Sequence, residues 1–235
     1  MIFRILLIFV LLLFVLQALY SGYFLLRSKS LKTDSFADEL ELGDKNDPAL
    51  SLFISGDSVA EGVGATSFMT SVAGRVAEYY AQDHYVSFQN HAISGVTVGE
   101  MQAMVKPEKK QDVMVLIVSS NDLFRFTSYD DFEHDIDVLL EQYAPFGKKV
   151  IIVGPGRVFD GEALPFFMQY IYKKRAPRYA SILQKSIAKY PHVEYVNPSD
   201  KYFDNKLTGA ETAADRFHPN DSGHDWWFNT FKSEL

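Results

Sequence analysis

The chain has 235 residues, of which 47% are hydrophobic and 23% charged, with a formal net charge of −7. That balance fits one globular domain with accessory segments; a domain near this size hides roughly 70% of its unfolded surface and needs no covalent staples. Cysteine is absent, which excludes disulfides, thiolate catalysis and Cys-ligated zinc, and the acidic excess excludes the basic footprint of a nucleic-acid binder.

From Ile5 to Leu26 no residue is charged, and Gln17 and Ser21 are the main polar interruptions. As a helix those positions span about 33 Å, enough for the hydrocarbon core of a bilayer. A cleaved signal peptide with Arg4 as its charged start is the rival reading, but Gln17-Ala18-Leu19-Tyr20-Ser21-Gly22 offers no A-x-A cleavage pattern. Residues 1–26 are therefore expected to be an N-terminal transmembrane anchor, with secretion after cleavage as the alternative. Arg27, Lys29 and Lys32 follow the span and, counted literally, would hold the rest of the chain in the cytoplasm. A short N-terminus usually stays inside and long domains cross largely regardless of charge, so a single-pass protein with an extracytoplasmic domain is expected.

Residues 27–48 are polar and charged, contain Gly43, Asn46 and Pro48, and read as a linker, leaving 49–235 as the main domain. Beyond Pro48, short apolar runs alternate with longer amphipathic stretches. Strands are expected at Leu50–Ser55, Tyr85–Gln89, Val113–Val118, Lys149–Val153 and Val193–Val196. Helices are expected at Ser67–Ala81, Val98–Val105, Tyr129–Tyr143, Glu162–Tyr190 (with a break at Pro177 in view) and Asp221–Lys232. Phe132, Ile136, Leu139, Leu140 and Tyr143 fall on one face of the third. Such alternation predicts an α/β fold: a flavodoxin-like three-layer α/β/α sandwich on a five-stranded parallel sheet, preceded by the transmembrane helix. In such sheets ligands gather beyond the carboxyl ends of the strands.

Four segments fall at that edge: Gly56-Asp57-Ser58, Asn90 to Gly95, Asn121-Asp122, and Asp215-Arg216-Phe217-His218-Pro219. Acyl transfer needs a nucleophile, its base, an orienter and donors for an oxyanion. Ser58 leaves an apolar strand through Gly56, a corner that exposes a hydroxyl; capping of the next helix is its plainer role. Asp215 precedes His218 by three residues, a spacing that lets a carboxylate reach Nδ1 and leaves Nε2 free. Asp221 and His224 repeat that spacing, but His224 should already lie inside a helix and is expected to pack there. No third ligand accompanies His218 and His224, so no metal is expected. The Gly-x-Ser-x-Gly pentapeptide of α/β-hydrolases is absent.

Together these blocks resemble the SGNH (GDSL-type) hydrolases over about residues 50 to 235. The resemblance implies Ser58 as nucleophile, with Asp215 and His218 as orienter and base. It implies an oxyanion hole built from the Ser58 amide, the Gly95 amide and the Asn121 side chain, and no cofactor. Where the family has Gly-x-Asn-Asp, this chain has Ser119-Ser120-Asn121-Asp122, which adds a side chain at the strand end. The implied activity is hydrolysis of a carboxylic ester, on a lipid or thioester acyl chain or on a glycan O-acetyl group. An acyltransferase using the same triad and a non-catalytic anchored binding module are the alternatives.

Around these blocks, Asp57 and Asp122 read as loop-bracing acceptors, and His91 as a residue near the glycine block. Leu123-Phe124-Arg125-Phe126 should border the pocket or the core. Arg157–Tyr179 carries Phe159, Phe166, Phe167, Tyr170, Tyr172 and Tyr179 with Lys173-Lys174-Arg175 among them. Packing on the sheet is its expected role, with a lid or a basic-aromatic face for lipid headgroups as the alternatives.

Overall fold

Leu52, Phe53 and Ile54 are consecutive and all fully buried, which a strand achieves only when both faces of its sheet are covered. The computed structural model describes residues 2–28, 31, 38–201 and 210–235, so parts of the expected linker and of the loop after the last strand lie outside the described residues. Its strands are β1 (Glu39–Leu42), β2 (Ala49–Gly56), β3 (Tyr85–Asn90), β4 (Gln111–Ile117), β5 (Gly147–Val153) and β6 (Val193–Val196). Its helices are α1 (Ile2–Ser28), α2 (Ser58–Glu61), α3 (Val72–Tyr80), α4 (Val98–Met101), α5 (Ser120–Phe124), α6 (Tyr129–Tyr143), α7 (Phe166–Ile187), α8 (Pro198–Lys201) and α9 (Asp221–Phe231).

The sheet order is β1-β3-β2-β4-β5-β6. The five parallel strands alone follow the 2-1-3-4-5 order of flavodoxin-like folds, so the direction of winding reverses at β2. Period-two alternation divides the core. Phe53, Met114, Leu116 and Ile152 face Ile136, Leu139, Tyr179 and Leu183 of α6 and α7. Leu52, Ile54, Val115 and Ile151 face Val72, Val76, Trp227 and Phe231 of α3 and α9.

Three details differ from expectation. The sheet has six strands rather than five, because β1 pairs antiparallel with β3, Leu40 opposite Phe88, inside the stretch expected to be a linker. Four residues of Glu-Leu-Glu-Leu are too short to stand out, yet Leu40 and Leu42 pack on the core while the glutamates keep the sheet edge charged. The helix expected from Ser67 begins at Val72 after a 3-10 turn at Phe68–Thr70, and the one expected from Val98 is a single turn. Finally, α7 runs unbroken through Pro177, since Tyr172, Ala176, Tyr179 and Leu183 on either side of it are buried against the sheet layer.

Among the described residues one helix is long and apolar enough to cross a membrane. It is Leu7–Ser28 within α1, 22 residues with a mean hydropathy of 2.1.

Candidate active site

The site begins where β2 ends. Gly56 has φ +141°, and a Cβ there would fall 2.1 Å from the Ile117 carbonyl oxygen on neighbouring β4, so only glycine fits. Its conformation turns the chain out of the sheet while the Asp57 amide still donates to the Ile117 carbonyl at 3.1 Å. Asp57 then caps α2, its Oδ1 accepting from the Val59 amide at 2.9 Å. This buried carboxyl is pushed up by desolvation, with the Val59 hydrogen bond opposing. Ser58 takes the first position of α2, where backbone amides have no acceptor within the helix.

His218 comes from the other end of the chain. A short bridge between Thr212 and Pro219, with Ala213 donating to the His218 carbonyl at 2.8 Å, closes the loop that carries it. His218 Nε2 lies 3.1 Å from Ser58 Oγ. On the opposite side of the ring, Nδ1 lies 2.5 Å from Asp215 Oδ2. The other carboxylate oxygen accepts from the amides of Phe217 (3.1 Å) and His218 (3.0 Å), fixing its orientation. Asp215 is fully buried; desolvation alone would raise its pKa, but the His218 hydrogen bond and charge and the two amides hold it below the ordinary carboxylate value. The site therefore keeps an anion under the imidazole.

Gly95 and Asn121 meet the same cavity, of about 230 Å³, as Ser58 and His218. Gly95 sits at φ +86°, conformationally accessible to glycine at no steric cost. Asn121, in α5, donates one Nδ2 hydrogen to the Val96 carbonyl at 2.9 Å, which leaves its second hydrogen for the cavity. All five residues singled out from the sequence are thus brought together, with Asp215 beneath the floor and the other four on the wall.

The departure at Ser119 has a structural counterpart. Ser119 caps α5 with φ +79°, a left-handed conformation that glycine would adopt freely. Its Oγ donates to the Val118 carbonyl at 2.5 Å, which keeps the added hydroxyl turned back along the strand end.

The neighbours divide as follows. Asp122 is a brace: its carboxylate accepts from the Val98 amide (3.0 Å) and Thr127 Oγ1 (3.3 Å), and burial pushes its pKa up to about 6. His224 is fully buried, accepts from the Val72 amide at Nδ1 and donates from Nε2 to the Val63 carbonyl, and burial lowers its pKa to about 4. It is a packing histidine held neutral. His91 tilts against Phe53 and borders a separate polar groove rather than the Ser58 cavity. Phe124 lines the cavity and Leu123 is in the core.

Further residues shape the site beyond the five. Arg125 donates from Nη2 to the Gly95 carbonyl at 2.6 Å and pairs through Nη1 with Glu100 at 2.7 Å, tying the glycine loop to α4. It follows the end of α5 and belongs to the 123–126 stretch expected to border the pocket or the core. Ser120, Val158, Phe217 and Trp227 complete much of the cavity wall.

A family model described as GDSL-like Lipase/Acylhydrolase matches residues 54–226. No curated protein sequence matches the chain. Among solved structures, Axe2, an acetylxylan esterase from Geobacillus stearothermophilus, is similar at TM-score 0.58 and 20% identity over 81% of this chain and 96% of that one. An extracellular lipase from Streptomyces rimosus is similar at TM-score 0.57 and 15% identity over 79% of this chain and 100% of that one. TesA is similar at TM-score 0.61 and 16% identity, over 79% and 97%. At these identities the neighbours show the fold, and the family model, spanning most of the domain, shows the rest. The chain belongs to the GDSL-like lipase/acylhydrolase family and is an ester hydrolase of that type.

Proposed function

We propose that the chain is a membrane-anchored serine hydrolase that cleaves carboxylic esters through a Ser58–His218–Asp215 acyl-enzyme mechanism. The observation that carries this reading is the unbroken relay from Ser58 Oγ to His218 Nε2 (3.1 Å) and from Nδ1 to Asp215 (2.5 Å). In the first step His218 takes the Ser58 proton as Oγ attacks the acyl carbon. Asp215 holds the ring in the tautomer that presents Nε2 and stabilises the imidazolium that forms. The amides of Ser58 and Gly95 and the free Asn121 amide hydrogen receive the oxyanion. The alcohol leaves with the proton from His218, and water, activated by the same ring, frees the acyl group from Ser58. Phe124, Val158 and Phe217 give the cavity an apolar wall, which supports an acyl chain as the group held on Ser58. Helix α1 serves as the anchor, with the domain on the extracytoplasmic side.

A fluorophosphonate probe should label the wild type and leave Ser58→Ala unlabelled. Equal labelling of the two, or none of the wild type, overturns the nucleophile assignment. Turnover of p-nitrophenyl esters should persist as the acyl chain lengthens; turnover confined to acetate would replace the acyl-chain reading with a deacetylase.

A further inference from the structure

The loop that carries His218 touches the apolar helix α1. Arg216 donates from Nη1 to the Tyr20 hydroxyl at 3.2 Å and sets its guanidinium 5.1 Å from the centre of the Phe24 ring. Phe24 is buried, whereas most apolar side chains of α1 are exposed. Ser28, at the end of α1, borders the Ser58 cavity. Farther back, Phe14 meets Phe167 of α7 with ring centres 5.1 Å apart, beside an apolar cleft bordered by Leu13 and Phe166.

Phe14 lies twelve residues before Leu26. That is about 18 Å along the helix axis, against a hydrocarbon thickness of about 30 Å. With α1 spanning the bilayer, whatever touches Phe14 is level with acyl chains, not with water. The start of α7 is built for that position: Phe166 is 70% exposed, Tyr170 64% and Ile171 36%. Lys173 and Lys174 follow within a turn, Lys174 placing its ammonium 5.6 Å over the Tyr170 ring. An apolar aromatic tip followed by cations matches hydrocarbon followed by anionic headgroups.

We propose that the first two turns of α7 form a second membrane-insertion element which, beside α1, holds the mouth of the Ser58 cavity on an anionic lipid bilayer. This rests on the reading of α1 as a membrane anchor. The ester is then taken from the bilayer surface, and soluble esters reach the same cavity without help from the tip.

The cysteine-free sequence allows single labels. Phe166→Cys, Leu11→Cys and Lys148→Cys, each in the full chain and carrying a polarity-sensitive fluorophore, would be placed in phosphatidylcholine–phosphatidylglycerol vesicles of about 3:1 composition. Labels at 166 and 11 should shift to the blue and be quenched by nitroxide-bearing acyl chains, and the label at 148 should not. Quenching at 11 with a solvent-like label at 166 overturns insertion and leaves the anchor standing; quenching at neither overturns both. A shift at 166 in detergent that grows with protein concentration would assign the patch to a second copy of the chain and overturn the lipid reading. The double variant Phe166→Ser/Tyr170→Ser should lose about tenfold in hydrolysis of a vesicle-embedded ester while keeping turnover of a soluble acetate ester. Equal turnover of both esters by wild type and variant overturns the proposal. Absence of any ester turnover in the wild type counts against the hydrolase reading, and the fluorescence result still decides insertion.

Discussion

Asn121 donates one amide hydrogen to the Val96 carbonyl and borders the Ser58 cavity, and its proposed role as an oxyanion donor falls to the other hydrogen. Asn121→Ala removes the brace and the donor together, so kcat should fall about 10² to 10³-fold with folding intact. Near-wild-type kcat in that variant would exclude Asn121 from the oxyanion hole. Arg125 acts one step back, on the carbonyl of Gly95. Arg125→Ala should lower kcat about tenfold while KM stays close to wild type, and Arg125→Lys should restore part of it, because a single ammonium can replace one hydrogen bond of the fork and not both. A rise in KM alone would make Arg125 a substrate contact instead. At this scale Asp215 and His218 were legible because three residues in one turn fix their proximity. Arg125 was legible only as part of a stretch bordering the pocket or the core; its bond to the Gly95 carbonyl was not, because that contact depends on how a glycine loop from another strand folds beneath it.

The elements place these residues through their junctions. At the end of β2 the chain must leave the sheet within van der Waals contact of β4, which is why Gly56 cannot carry a side chain. Gly56→Ala should cost roughly 3 kcal/mol in denaturant unfolding, from the clash and the positive φ together, and should lower esterase activity because Ser58 moves with the junction. An unchanged denaturation midpoint would refute this account of the corner. Periodicity recovered the five parallel strands and α6 well, since a covered strand and an amphipathic helix leave strong patterns over several residues. It missed β1, whose four residues gain their strand conformation from pairing with β3, and it left open a break at Pro177 that packing of α7 removes. Local preference yields to tertiary contact in both places.

For the molecule as a whole, Asp122 and His224 set opposing pH dependences in one window. Asp122, raised by burial from 3.8 to about 6, makes the folded state hold a proton that the unfolded chain has lost, so its contribution to stability declines as pH climbs from 3.8 through 6. His224, lowered by burial from 6.5 to about 4, makes the unfolded chain bind the proton instead, so its contribution grows over nearly the same interval. Each amounts to about 3 kcal/mol, with opposite sign. Asp122→Asn should therefore unmask a rise in unfolding free energy between pH 4 and 6.5 that is muted in the wild type. Parallel wild-type and variant curves from denaturant titrations across that range would disprove the compensation.

The sequence by itself determined the fold class, the family and the identity of the Ser58, His218 and Asp215 candidates, because these follow from hydrophobic period and from short motifs whose members are close in the chain. Only the tertiary structure decided that Ser58 and His218, separated by 160 residues, come within 3.1 Å of each other. It also decided that Arg125 braces Gly95 and that α1 meets the loop beside Asp215. Those distances depend on how strands wind about β2 and on which glycines let backbones touch, and neither is carried by any one segment.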